Sequence, residues 1–282
     1  MCFVIAVEMS ALTHAIHDGH AGVTRPKQRI STLAATRRET DMPPRRRSVL
    51  LTQLVIDAPG SPQQTILDEL RRVILSGSAP PGTPIPLGDV ADVFGVSRIP
   101  VRESLKTLVG ESLVDHRHQF GYTVAQLTPA ELREMYIVRE TLESAALAVA
   151  VEQATEEDHE HAVEVNSRLE IALRYDDSQS YHCESRNFHL ALTRPSQMLR
   201  LLHMFEAAWN ITEPVQPMVH VAGVDRQVLH SDHTAMLDAF LRRDAAALLS
   251  ASEIHHRRLN TVIATLPTDT GLLAEKDIPI AQ

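Results

Sequence analysis

Three histidines, His189, His233 and His255, are the side chains whose type and placement could do chemistry inside this protein. His189 follows Phe188 in NFHLAL, and His233 opens a helical stretch in SDHTAMLDAFLRRD. His255 lies 22 residues further on. That separation spans two antiparallel helices joined near Arg243-Asp244 and brings both imidazoles to one level of a bundle interior. Any single one of the chain's 15 histidines is more simply a surface residue or a hydrogen-bonded core residue. Three on inward faces at matching depth change that balance. Imidazole suits zinc, nickel, copper and iron, and a three-histidine site with an open position is chemically reasonable.

A second set is cationic. Arg98, Arg102 and Lys106 recur at steps of four and form one ridge along a helix. The stretch that must position them is DVADVFGVSRIPVRESLKTLVGESLVDHRHQFGYTV, Asp89 to Val124. Val90, Ala91, Val93 and Phe94 give a first short helix a buried face. Gly95 permits the left-handed backbone of a sharp helix–helix turn, and Val96 plugs the junction. Pro100 suits the first turn of the next helix. Val101, Leu105 and Leu108 form its apolar stripe. Leu113–Asp115 and Tyr122–Val124 read as strands flanking a basic turn that contains Arg117, His118, Gln119, Phe120 and Gly121. Two helices and a hairpin in this order make a winged helix-turn-helix, which lays one helix in the major groove of DNA. A solvated amphipathic pair of helices would show the same pattern.

GVSRIPVRESL, preceded by LRRVILSGSAPPG and followed by the glycine-containing wing, closely resembles the winged-helix signature of the GntR family of bacterial transcription regulators. The resemblance implies operator contacts from Ser97, Arg98 and Arg102, and it places Gly121 at the wing tip. Two positions depart from the family. Leu87-Gly88 replaces a polar pair at the start of the first helix. Ile99 stands where Thr is common and exchanges a hydrogen bond for an apolar contact with a thymine methyl.

Composition fits an intracellular regulator. A chain of 282 residues can hold two domains, each with its own core. Cys2 and Cys183 are too few and too far apart to imply a disulfide framework, which points to a reducing cytoplasm. No run approaches the roughly 18 apolar residues of a membrane span. MCFVIAVEMSALTHA lacks a positive start and carries Glu8, unlike a signal peptide. The net charge is −9, unevenly spread. Residues 1–63 carry 8 Lys+Arg against 5 Asp+Glu, residues 64–127 carry 6 against 7, and residues 128–282 carry 13 against 24. The cations of the DNA-binding segment are placed rather than numerous.

Residues 1–60, rich in Arg, Thr, Pro and Ala, read as a disordered leader. They are either a basic arm for phosphate contacts or the product of a start codon assigned too early, with Met9 or Met42 the native start. The winged helix is expected over 61–127, opening with a capping box of Ser61, Pro62 and Gln64. An all-helical domain follows over 128–266. In it Thr128-Pro129-Ala130-Glu131 is a second capping box, and TEED at 155–158 opens the next helix. Further helices read at about 178–193, 196–212, 225–243 and 244–264, which gives a mostly α fold with an antiparallel bundle of six. Residues 267–282 read as a tail.

Arg139 with Leu142-Glu143 in YIVRETLESAAL, then NFHLAL, then His233, Ala239, Asp244 and His255 at their spacing, resemble the FCD ligand-sensing domain of the FadR subfamily. The resemblance implies a divalent metal, zinc, nickel or similar, on His189, His233 and His255, with Arg139 and Ser185 beside the effector. Metal-binding members carry Asp where this chain has Ser185, a poor ligand. The fourth position is then empty, water-filled, or taken by Glu184 or His182. The expectation is a homodimeric cytoplasmic regulator without membrane contact, a repressor released from operator DNA by a small organic acid. Two alternatives stay open: a ligand-free dimerisation bundle, and a metal-dependent hydrolase, for which no general base stands at a defined spacing.

Overall fold

The computed structural model describes residues 48–55, 62–266 and 271–274. The leader with Met9 and Met42, Cys2, Ser61 of the first capping box and most of the expected tail lie outside the described residues.

The first part of the chain builds on α1 (Val49–Gln53), α2 (Gln63–Leu75), α3 (Leu87–Phe94) and α4 (Arg98–Gly110). A three-stranded antiparallel sheet completes it, with β1 (Pro84–Ile85), β2 (Val114–Arg117) and β3 (Gly121–Val124) in the order β1-β3-β2. The wing register pairs Val114 with Val124 and Arg117 with Gly121. The turn between α3 and α4 is the one the sequence predicts, with Gly95 left-handed at φ 64°. Leu70, Ile74, Phe94, Val101, Leu105 and Leu108 are fully buried together. The two-residue β1 is absent from the sequence expectation. The capping box expected at the start of α2 rests on Ser61 and so lies outside the described residues; the described helix runs from Gln63 with Pro62 before it.

Six helices follow: α5 (Pro129–Gln153), α6 (Glu156–Arg174), α7 (Ser178–Thr193), α8 (Leu199–Thr212), α9 (Gly223–Leu241) and α10 (Ala245–Ala264). Two of them start on reciprocal capping boxes. Glu131 N–H donates to Thr128 Oγ1 at 3.2 Å while Thr128 N–H donates to Glu131 Oε2 at 2.7 Å. Thr155 and Asp158 repeat the arrangement on α6. α5 packs against α7, α8 and α10, so one long helix runs along much of the bundle interior. The tight joint between α9 and α10 is pinned to the end of α5, where Arg243 donates to the Ala154 carbonyl at 2.6 Å. Asp244 caps α10. Within the expected tail, residues 271–274 pack onto the bundle: Leu273 joins its core and Ala274 N–H donates to the Leu127 carbonyl at 2.9 Å. The run Leu272-Leu273-Ala274 is too short to carry a periodicity that would announce this.

Replacing Thr128 with Ala should cost about 1 kcal/mol of stability through loss of the cap. Urea denaturation of the full chain measures it, and an unchanged midpoint would show that the box does not stabilise α5.

Candidate functional site

Two regions collect the residues that the sequence singled out. On the winged helix, Ser97, Arg98, Ile99, Arg102 and Lys106 are all exposed along α4 and its N-cap. Ser97 sits at the N-cap but makes no side-chain cap bond. Ile99 is 67% exposed, a large apolar side chain turned to solvent. Lys106 is paired with Glu103 at 2.9 Å, whereas Arg98 and Arg102 enter no ion pair among the described residues. Arg117 ends β2, and Gly121 opens β3 at φ 86°, one residue after the turn His118–Phe120. Phe120 is 85% exposed in that turn.

In the bundle, α7, α9 and α10 bring His189, His233 and His255 together. His233 lies in the middle of α9 rather than at its start, because α9 begins ten residues earlier at Gly223. All three imidazoles are buried, and one donor atom from each lies within 4.8 Å of the others. A tetrahedral zinc shell with bonds of about 2.0–2.1 Å needs donors roughly 3.3 Å apart, so modest rotation closes the set. Both ring nitrogens of His233 and both of His255 lack a hydrogen-bond partner among the described residues. Four unpaired nitrogens in a protein interior are costly, and a cation would satisfy one on each ring. The donor set therefore fits a divalent metal.

Glu143 on α5 orients the third ligand. Its carboxylate meets His189 Nδ1 at 2.5 Å and His256 Nε2 at 2.8 Å. With Nδ1–H donating to the carboxylate, Nε2 of His189 is left as the lone-pair nitrogen, the arrangement that steers metal-binding histidines. Burial raises the Glu143 carboxyl, but the charges of His189 and His256 outweigh it and hold it well below the usual range. Burial also pushes His233 and His255 well below ordinary imidazole values. Neighbouring His189 adds to this at His233, and His233 adds to it at His255.

Next to this cluster a cavity is lined by Arg139, Ser185, His182 and Trp209 as well as the three histidines. Arg139 is buried, with its guanidinium 3.1 Å from the Trp209 ring centre and 4.5 Å from that of Tyr136. Its polar contact is a 3.3 Å bond from Nη1 to Thr212 Oγ1, and Nε has no partner. Burial pulls its pKa down, and the nearby Tyr136, Glu143 and Glu213 offset this only in part. Ser185, one helical turn before His189, faces the same cavity. Glu184 points elsewhere and pairs with Arg168 at 3.0 Å. His182 is held through Nε2 by Glu213 at 3.0 Å, with Nδ1 unpartnered.

Sequence reasoning missed His256, Glu213 and Trp209, and noted Glu143 only as part of a motif. The one local signal was the four-residue step from Arg139 to Glu143, which puts both on one face of α5.

A winged helix with exposed cations on its second helix, joined to a helical bundle that encloses a cavity, is the architecture of a DNA-binding regulator. The comparisons agree. Residues 62–124 match the family model of bacterial regulatory proteins, gntR family, and residues 134–258 match the FCD domain. The chain is 30% identical over 142 residues to the HTH-type transcriptional regulator McbR of Escherichia coli (strain K12), covering 50% of this chain and 64% of that protein. It is 29% identical over 148 residues to the gluconate operon transcriptional repressor of Bacillus subtilis (strain 168), covering 52% and 58%. It is 26% identical over 206 residues to the transcriptional repressor RspR of E. coli (strain K12), covering 70% and 86%. Among the curated relatives, several matches thus span only about half to two thirds of the relative's length. The solved structure of E. coli McbR/YncC superposes with a TM-score of 0.63 at 23% identity, covering 72% of this chain and 97% of that one, a likeness of fold. The chain belongs to the GntR family of bacterial regulatory proteins and carries an FCD domain. Its family and relatives are transcriptional regulators, not enzymes.

Burial of His189, His233 and His255 sets a pH dependence. Their folded pKa values are depressed, so below an unfolded value of about 6.5 the unfolded chain binds more protons than the folded one. Stability is then full above that value and lost as pH falls. Metal-free protein should melt at a lower temperature at pH 5 than at pH 7, and His233→Leu should flatten the difference. Circular dichroism melts check this, and an unchanged slope in the variant would show that His233 is not protected from protonation.

Proposed function

We propose that the chain is a homodimeric, cytoplasmic DNA-binding transcription regulator, a repressor released by a small organic acid held in the bundle cavity. The observation that carries this reading is the combination of a buried Arg139 that enters no ion pair with two histidines whose four ring nitrogens have no hydrogen-bond partner among the described residues, all on one cavity. A guanidinium stacked on Trp209, with one bond from Nη1 to Thr212, has its remaining donors to offer a carboxylate. His189, His233 and His255 would hold a divalent cation, which would supply a Lewis-acid anchor for the same anion. Ser185 adds a neutral hydroxyl, so metal affinity is expected to be modest, and Ser185→Asp should raise it.

On the winged helix, Arg98 and Arg102 are free to reach base edges or phosphates, Ile99 to meet a thymine methyl, and Ser97, Lys106 and Arg117 to position the domain on the backbone. Gly121 lets the wing turn approach DNA closely. Repression, rather than activation, is supported by two relatives named as repressors, that of the gluconate operon and RspR. No described helix is long and apolar enough to cross a membrane, which is compatible with a cytoplasmic site of action.

Mobility shifts on a duplex selected from random sequence by the protein itself test both halves. Arg102→Ala should weaken binding by about 1–3 kcal/mol. Arg139→Ala should bind DNA like the parent yet fail to be released by any of a panel of organic acids. Unchanged DNA affinity in Arg102→Ala and Arg98→Ala would remove α4 from the interface. Release of Arg139→Ala at the parent's acid concentration would remove Arg139 from the cavity's function.

A further inference from the structure

Gln216 occupies the joint between the bundle and the winged helix, and its buried side chain is used in three directions. Nε2 donates to the Glu213 carbonyl at 2.9 Å and to the Leu75 carbonyl at 3.3 Å, while Oε1 accepts from Gln179 Nε2 at 2.6 Å. Leu75 is the last residue of α2, where helix carbonyls lack partners of their own. Gln179 stands in the first turn of α7. Gln216 itself holds φ 50° between the 3-10 turns Glu213–Val215 and Pro217–Val219, a conformation uncommon outside glycine and asparagine. Opposite it, Gly77 is at φ 70°, and a Cβ there would lie 2.5 Å from Gln216 Cγ. The close approach therefore depends on glycine.

The elements that grip Gln216 also wall the cavity. Thr212, Pro217 and Met218 line it on either side of Gln216 in sequence, and His182 and Ser185 line it from α7. On the far side, α2 is bolted to α4. Arg71 meets Glu111 with two bonds of 3.0 and 2.7 Å, and Ser104 Oγ donates to the Gln63 carbonyl at 3.2 Å.

We propose that Gln216 is a latch that transmits occupancy of the cavity to the DNA-binding helices. The inference rests on the reading of the cavity as an effector site. One amide with partners on three elements is satisfied at only one relative placement of those elements. Good N–H···O bonds fall within about 2.7–3.2 Å, so the 3.3 Å bond to Leu75 is the one that a small shift of the 212–218 turn makes or breaks. A buried amide left unpaired is costly, so the joint has two arrangements rather than a continuum. A cation on the histidine cluster would fix α7 through His189, and an anion reaching from it to Arg139 would engage Thr212 as well. Fixing α7 is enough to tighten the latch, which fixes α2 and with it α4 against the bundle.

Zinc ion alone serves as the probe on the full chain, with calorimetry for binding and hydrogen exchange for the response. Zinc should slow exchange across residues 73–82 by about threefold or more. Gln216→Met, which keeps volume and removes both amide functions, should bind zinc with similar affinity and show protection only within the bundle. A response at 73–82 of the parent's size in this variant overturns the latch. Zinc that binds the parent and leaves 73–82 unchanged overturns it too. Gln179→Ala changes an exposed residue and frees the same amide from α7, so it should at least halve the response even where Gln216→Met folds poorly; a full response would count against the proposal. Calorimetric silence with both zinc and citrate overturns the effector-site reading, and the latch with it.

Discussion

Glu143 holds two buried imidazoles at once, and the sensing half of the molecule is arranged around that contact. The carboxylate and both rings are each about 1% exposed. A charge so far from water persists only when it is paired and hydrogen-bonded. Satisfying it ties α5 to α7 through His189 and to α10 through His256 at one level of the bundle. It also settles which nitrogen of His189 is available to a cation, and that nitrogen belongs with the rings that α9 and α10 contribute. Removing the carboxylate would loosen three helices and release the tautomer together.

The cavity beside this contact is built from incomplete pairings. Arg139 lies against the rings of Trp209 and Tyr136 and enters no ion pair among the described residues. The ring nitrogens of His233 and His255 have no hydrogen-bond partner among the described residues, with Asp232 Oδ2 3.9 Å from His255 Nδ1. A fold stabilises itself by closing such pairings, so leaving several open along one cavity wall favours a ligand that closes them. The winged helix follows the same economy in the opposite sense. Its segment carries no excess of positive charge, yet Arg98 and Arg102 stand exposed and free of ion pairs among the described residues. The acidic excess sits in residues 128–282, so it does not neutralise α4 locally.

Local chemistry was legible in the sequence and long-range pairing was not. Gly95, Pro100 and the stripe Val101-Leu105-Leu108 act within a few residues, and each predicted its element. Thr128 announced its helix through a capping box, and TEED at 155–158 announced the next. The three histidines were found because helix length and the Arg243-Asp244 joint set their level. Glu143 finds His189 across 46 residues and His256 across 113, separations with no characteristic spacing. Likewise β1 is too short to alternate, Leu272-Leu273 is too short a run to show a period, and the Gln216–Leu75 contact spans 141 positions.

X-ray absorption at the zinc edge of the zinc-loaded full chain tests the histidine cluster most directly. Convergence of His189, His233 and His255 on one ion predicts three imidazole nitrogens at about 2.0–2.1 Å, with oxygen completing the shell. Zinc that washes out of the protein, or a shell of oxygen or sulfur without imidazole scattering, would contradict it.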